Sequence, residues 1–399
     1  MADVLSEEIA RVNQLTQAMI DEYVSWRSKI VYGEIENAIY GAMLDFVNFR
    51  VETADSCLLL IENRKIADSL GLSRSLFENY LLLMLMCRGS KYFKLQDLSS
   101  VTEAEFKARF KKEEAELRQK QAQGKTQCLY VKRYPRPPKQ QLMYVFEGRK
   151  SSEEPEFVIP VHFFHFQEFD PEILRLKVEK YFQYHELSPE TKKADREYLR
   201  ETESRYRHYL SYDALLQCLE INELADSAVL ARIEAHYTFL GKFLHPTYNA
   251  ARELHDRNNI YTGETAIGMR QPYSKIAVLL ASLYACYLVA GLLDEAADLF
   301  ERAPVKYMSE PGTSSMRNLT ARIVIEFPYF WFLYNDPPLY DRYNYCSYHA
   351  TVDELAKWNR YENVPKERVP FDQHIYRHLQ SALNGWSNRR CGEYRSPLG

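Results

Sequence analysis

A chain of 399 residues with 46% hydrophobic and 27% charged side chains holds enough apolar material for one large core or two to three domains, which excludes wholesale disorder. Its formal net charge of −4 supplies no molecule-wide field for nucleic acid, so any basic surface has to be local. Aromatic residues make up 14% of the chain and Tyr contributes 30 of them, a side chain suited to half-buried faces because it joins apolar area to a polar tip.

Ser6, followed by Glu7 and Glu8, predicts a capped helix start, and Ile9, Val12, Leu15, Met19 and Tyr23 then recur at three- and four-residue steps. A second helix is expected over roughly 34–63. The next stretch, "KIADSLGLSRSLFENYLLLMLM" at 65–86, admits two readings. Ala67, Gly71 and Phe77 occupy the small, turn and buried positions of a helix-turn-helix that reads DNA. A recognition helix, however, must keep one polar face toward base edges, and the run after Tyr80 is apolar all round. The expectation is therefore a buried helix reaching about residue 94, with Arg74 and Glu78 four apart on one face. Such a pair alone contributes only about 0.3 to 0.5 kcal/mol, and a desolvated one needs further partners. The couple marks either a structural network or a site.

Residues 102–123 form a charged helix closed by Gly124, which reads as a solvated helix or linker. The period then changes to two. "TQCLYVKRYPRPPKQQLMYVFEGRK" reads as two strands around a Pro-rich loop, and "EFVIPVHFFHF" as a third with Pro160 at an edge or bulge. Asp170-Pro171 and Ser188-Pro189 each open a further helix. More helices are expected near 220–244, 272–302, 314–334 and 371–388. The run "IAVLLASLYACYLVAGLL" at 276–293 has the length of a membrane span. Its Ser282, two tyrosines, Gly291 and acidic continuation make it an interior helix instead, so no membrane contact is expected.

The fold class that follows is mainly α, a multi-helix bundle with a small antiparallel β insertion. Its parts are an N-terminal helical part (1–101), a charged helix or linker (102–124), the insertion (125–169), a C-terminal helical part (170–335) and a loop-rich tail with a terminal helix (336–399).

In the insertion Lys132, Arg133, Arg136 and Lys139 interleave with Tyr134 and Tyr144. Cations for phosphates and rings for bases are what a single-stranded nucleic acid, RNA included, requires. The same alternation also guards an exposed hairpin against edge pairing. His162 and His165 face opposite sides of a strand, and His374 and His378 share a helix face with no acid or cysteine at ligand spacing. Nucleotide-loop, nucleophile-elbow and zinc-protease motifs are missing from the sequence, so no cofactor and no metal are expected. Seven dispersed cysteines without a CxxC fit a reducing cytoplasm.

"ADSCLLLIENRKIADSLGLSRSLFENYLLLMLM" resembles the R-S-L-F-E helix of a bacterial all-helical family of unknown function. "HYTFLGKFLHPTYNAARELH" resembles that family's second block. The family is more distantly similar to the HEPN and abortive-infection proteins of prokaryotic conflict systems. The resemblance implies an antiviral defence or toxin-like protein acting on RNA, and singles out Arg74, Glu78 and His245. The Arg–His spacing differs from that of HEPN ribonucleases: Arg232 to His236 and Arg252 to His255 are too close, and Arg368 to His374 contains Pro370.

His245 precedes Pro246 and so ends a helix, where the negative pole favours its protonated form. Metal-independent RNA cleavage needs a base, an acid and a cation over the phosphate, and Glu78, His245 and Arg74 supply them if they meet. Two rival expectations stand beside this one: a non-catalytic helical scaffold binding a protein partner through Tyr-rich surfaces, and a DNA-binding regulator. A homo-oligomer is compatible with all three.

Overall fold

The computed structural model describes residues 2–32, 38–126, 128–135, 140–147, 212–245, 273–303, 308–333, 335–371 and 374–387, with a few isolated positions between them. In chain order the helices are α1 (Ala2–Arg27), α2 (Ala38–Glu62), α3 (Ile66–Arg88), α4 (Glu103–Ala122), α5 (Tyr212–Ile221), α6 (Ser227–Leu244), α7 (Lys275–Glu301), α8 (Ser314–Glu326), α9 (Leu339–Tyr348), α10 (Val352–Trp358) and α11 (Ile375–Ser387). The strands are β1 (Val31–Tyr32), β2 (Lys91–Asp97), β3 (Cys128–Arg133), β4 (Gln141–Glu147), β5 (Phe169–Asp170), β6 (Arg175–Leu176) and β7 (Met308–Ser309). The protein is thus mainly helical with small antiparallel sheets. It divides into two compact units, 1–80 with 226–399, and 81–225.

In the first unit α7 is the central helix, packed by α1, α2 and α8. Its apolar residues cover every face, so all of them must be removed from water, and Ala277 through Leu293 is buried almost without a break. Its 18-residue apolar window is 89% buried, which makes it an interior helix. Close packing demands a glycine at one point. A side chain on Gly291 would reach within 2.6 Å of the Tyr80 ring. Polar groups at the ends of the bundle are tied together: Tyr329 donates to Glu8 Oε1 at 2.6 Å, and Tyr287 donates to the Phe327 carbonyl at 2.7 Å. Helix α1 begins at Ala2, before the expected cap. Ser6 lies within it and accepts a bond from Lys275 Nζ.

The segment from Ile66 to Arg88 is one uninterrupted helix, so the turn that a helix-turn-helix requires at Gly71 does not form. Tyr80 through Cys87 are all buried, which removes the polar face a recognition helix needs. Before it, α2 ends with Arg64 at φ 57°, where Lys65 N–H bonds to the Leu60 carbonyl and Arg64 N–H to that of Ile61. This is the Schellman arrangement, here with Arg where Gly is usual. Gly124 closes α4 in the same way, and Glu223 closes α5.

The second unit contains a three-stranded sheet in the order β2-β4-β3. Its third member is Lys91–Asp97, a segment expected to be helical to about residue 94. Gly89 sets the break: its N–H bonds to Leu85 O, and a Cβ there would lie 2.4 Å from that same carbonyl oxygen. The strand expected within "EFVIPVHFFHF" lies outside the described residues. Of the helix expected from Asp170-Pro171, the described residues Arg175–Leu176 instead form a strand that pairs antiparallel with Phe169–Asp170. Of the long helix expected from Ser188-Pro189, the residues from Tyr212 on belong to α5 and, Pro189 apart, those before them lie outside the described residues. Helix α4 is not a free linker. It starts with a capping box between Thr102 and Glu105 and buries Phe106 and Leu117 against Cys128, Val131 and Leu142 of the sheet.

Candidate functional site

Helix α6 carries or holds most of the chemistry that the first unit offers. Asp226 caps its N-terminus by accepting from Val229 N–H at 2.8 Å, and its C-terminus stops at His245, before Pro246. Contacts between α3 and α6 step in opposite directions. Gly71 sits by Phe243 and Leu244, Arg74 by Gly241 and Tyr237, and Phe77 by His236.

Arg74 and Glu78 form the expected pair at 3.4 Å. The Arg74 guanidinium lies over the Tyr237 ring, its carbon 3.9 Å from the centroid, and packs against Gly241. The Tyr237 phenol is hydrogen-bonded to both side chains, and burial followed by the nearby Glu78 carboxylate pushes its pKa up. A phenol shifted in that direction keeps its proton at ordinary pH. Arg74 is buried whereas Glu78 is half-exposed, so the couple forms a strut between two helices with one edge in water. His245 is exposed at the far end of α6. From the His236 level, where Glu78 belongs, it is roughly 13 Å of helix away. Glu78 and His245 are thus not brought together, and the residue that joins Arg74 and Glu78 is Tyr237.

His236, noted in the sequence only for its spacing from Arg232, lies at the centre of an aromatic box. The rings of Phe77, Tyr284, Phe330, Phe332 and Phe371 are all within 6.3 Å of it. Nδ1 shares a hydrogen bond of 2.8 Å with Tyr284 OH. Burial, reinforced by Arg232, lowers its pKa to about 3, so the ring is neutral at ordinary pH and cannot serve as a general acid there. His378 meets Asp341 at 2.9 Å, an acid that sequence distance had hidden.

One turn toward the N-terminus of α6, Arg232 is 6% exposed. Its Nη1 donates to the carbonyls of Phe332 (2.8 Å) and Asn335 (3.4 Å), and its guanidinium rests on the Trp331 ring at 5.3 Å. Neither Arg232 Nε nor the Trp331 indole N–H has a hydrogen-bond partner. Both residues line a cavity of about 360 Å³ whose other walls include Val229, Leu333, Val369, Pro370 and Phe371. A second recess of about 400 Å³ lies between α9 and α10, lined by Tyr343, Cys346, Trp358, Arg360 and Tyr361. On the same two helices Tyr348 and Val352 are about four-fifths exposed. Among the described residues no His, Cys, Asp and Glu side chains cluster as a metal site.

In the insertion the side chains proposed for nucleic acid turn largely to the second unit itself. Arg133 makes two bonds to Glu103 (3.1 and 3.2 Å) and covers the Phe106 ring. Tyr134 is buried. Tyr144 packs on the sheet core and donates to Gln96 Oε1 at 3.0 Å. Lys132 is half-buried, and Arg136 and Lys139 lie outside the described residues. Tyr134 is buried, and Tyr144 is half-buried against the cluster that α4 shares with the sheet, so neither presents an open ring face on the scale expected of a stacking platform.

Comparison with family models, with curated proteins and with solved structures finds no match to this chain.

Proposed function

We propose that this protein is a non-catalytic helical scaffold that binds a protein partner, rather than an RNA-cleaving member of a defence system. The observation that carries this reading is the recess between α9 and α10. Tyr343, Trp358 and Tyr361 form its walls, and Tyr348 and Val352, on the same two helices, are exposed. Apolar side chains presented together beside an aromatic recess are the features by which a protein surface takes an anchoring side chain from a partner. The engagement of Arg74 and Glu78 with Tyr237 supports the same reading, since it directs the couple to packing. Among the described residues five cysteines are free and buried and one, Cys346, is free and half-buried, which fits a reducing compartment, so we place the protein in the cytoplasm.

The test compares the purified wild type with Tyr348→Ser/Val352→Ser and with His245→Ala. Single-stranded RNA should remain intact with the wild type, with or without magnesium. Its absorbance at 260 nm should be that of protein alone. A protein that co-purifies with the wild type in fixed ratio should be lost from the double variant. RNA cleavage that disappears in His245→Ala would restore the defence-nuclease reading and overturn this one.

A further inference from the structure

Helix α2 turns one side to α7 and the other to water. Phe46, Val47, Val51, Ala54 and Leu58 fill the buried side. The side in water is built from one pattern written twice, "DFVNFRVE" at 45–52 and "DSCLLLIE" at 55–62. Each places a large apolar residue, Phe49 or Leu59, four residues after an aspartate and three before a glutamate. Neighbours on a helix surface are three and four apart, so Asp45 and Glu52 bracket Phe49, and Asp55 and Glu62 bracket Leu59. All six side chains are exposed. Phe49 and Leu59 keep 60% and 59% of their surface in water, so neither serves the core. Among the described residues none of the four carboxylates forms an ion pair, and Asp45 accepts from the Asn48 amide at 3.5 Å. The one cation on the helix, Arg50, is half-buried, with its guanidinium over the Phe46 ring at 5.4 Å.

We propose that this face of α2 docks a cationic amphipathic helix of a partner protein, one with two apolar anchors and Lys or Arg between and beside them. Phe49, Glu52, Ser56 and Leu59 follow the alternating three- and four-residue spacing of a helix-on-helix seam. Phe49 and Leu59 stand about 15 Å apart along the axis, a span of under three turns on the partner. Between them Ser56 is small and half-buried, which lets a second helix approach closely. Charge selects the occupant. Four carboxylates without counter-ions repel nucleic acid, an anionic membrane and a second copy of the same face. They attract a helix whose Lys or Arg stems lie along the apolar anchors while the charged ends reach the carboxylates. The proposal goes beyond the scaffold reading, since it requires neither the recess between α9 and α10 nor the absence of RNA cleavage.

The probe is a synthetic helix of about 20 residues with leucines at the seam positions and lysines elsewhere, labelled for fluorescence anisotropy. Its counterparts are a peptide of the same composition scrambled so that no apolar face forms, and one with glutamate in place of lysine. Each is titrated into the full-length wild type, into Phe49→Ser/Leu59→Ser and into Asp45→Asn/Glu52→Gln/Asp55→Asn/Glu62→Gln, with circular dichroism confirming the fold. The lysine helix should bind the wild type, with the scrambled peptide about tenfold weaker and the glutamate peptide not bound. Phe49→Ser/Leu59→Ser should weaken binding about tenfold, and the charge variant should do the same and flatten its dependence on salt. No binding of the lysine helix at about 0.1 mM, equal binding of the scrambled or glutamate peptide, or affinity unchanged in either variant would each overturn the proposal. A wild-type dimer that dissociates in Phe49→Ser/Leu59→Ser would place a second copy on this face and overturn it as well. Binding lost in Tyr348→Ser/Val352→Ser instead would move the docking to the recess, overturning this proposal and keeping the scaffold reading. RNA cleavage by a chain that still binds the lysine helix through Phe49 and Leu59 would overturn the scaffold reading alone.

Discussion

Arg74 and Arg232 meet helix α6 near its opposite ends, and both are buried guanidiniums stacked on a ring, at 3.9 Å from Tyr237 and 5.3 Å from Trp331. Their surroundings differ. Arg74 has a carboxylate at 3.4 Å and a phenol bonded to it. Arg232 has two backbone carbonyls and, among the described residues, no ion pair. Each leaves its Nε–H without a partner. The contrast teaches that burial of a charged residue does not by itself mark a site, and that what separates these two is the counter-charge beside Arg74.

Between the two arginines lies His236, and its protonation is the largest expected effect. Its pKa falls from 6.5 unfolded to about 3 folded. The unfolded chain therefore takes up a proton first as pH drops, so this residue's contribution is complete above about pH 6.5 and declines toward pH 3. Between pH 7 and 5 the loss is about 2 kcal/mol. Glu8 has the opposite sign, since burial raises its pKa and protonation favours the folded state. The comparison with His236→Gln isolates the histidine: the variant's unfolding free energy should fall by about 2 kcal/mol less than the wild type's over that interval. An identical pH dependence would mean that the ring is accessible to protons in the folded protein.

A smaller effect sharpens the Arg74 side. Tyr237→Leu keeps apolar area but removes the ring beneath the guanidinium and its phenol bonds, and should lower stability by about 1 kcal/mol with the slope of urea unfolding unchanged. A neutral outcome would detach Tyr237 from the strut.

Sequence reasoning reached those features whose cause is local. The apolar faces of α7, the closure of α4 at Gly124 and the pair Arg74–Glu78 all depend on neighbours within a few turns. It missed those whose cause is distant or chemically unsignalled. Arg64 and Glu223 end helices in a conformation that normally announces itself by glycine. Lys91–Asp97 follows an apolar helix so directly that its pairing with β4 decides its state, not its own pattern. Tyr237 reaches Arg74 from far along the chain, and Asp341 reaches His378 likewise. Trp331 lay in a stretch expected to be helical to 334, whereas α8 ends at Glu326, before Pro328, and the chain that follows folds around Asn335. That side chain accepts from Phe332 N–H and donates to Phe330 O. The cavity exists because of that turn, and a linear pattern does not contain it.

The most direct test applies one chemical change at both ends of α6. Arg74→Met and Arg232→Met each replace a guanidinium by an uncharged chain of similar reach, and unfolding free energies are measured for both in the absence of ligand. Arg74→Met should lose about 2 kcal/mol, because a ring stack and an ion pair go with it. Arg232→Met should stay within about 1 kcal/mol of the wild type or gain, because a buried charge without a counter-ion is removed. Equal losses, or a larger loss at Arg232, would contradict the division of the two arginines into one with a counter-charge and one without.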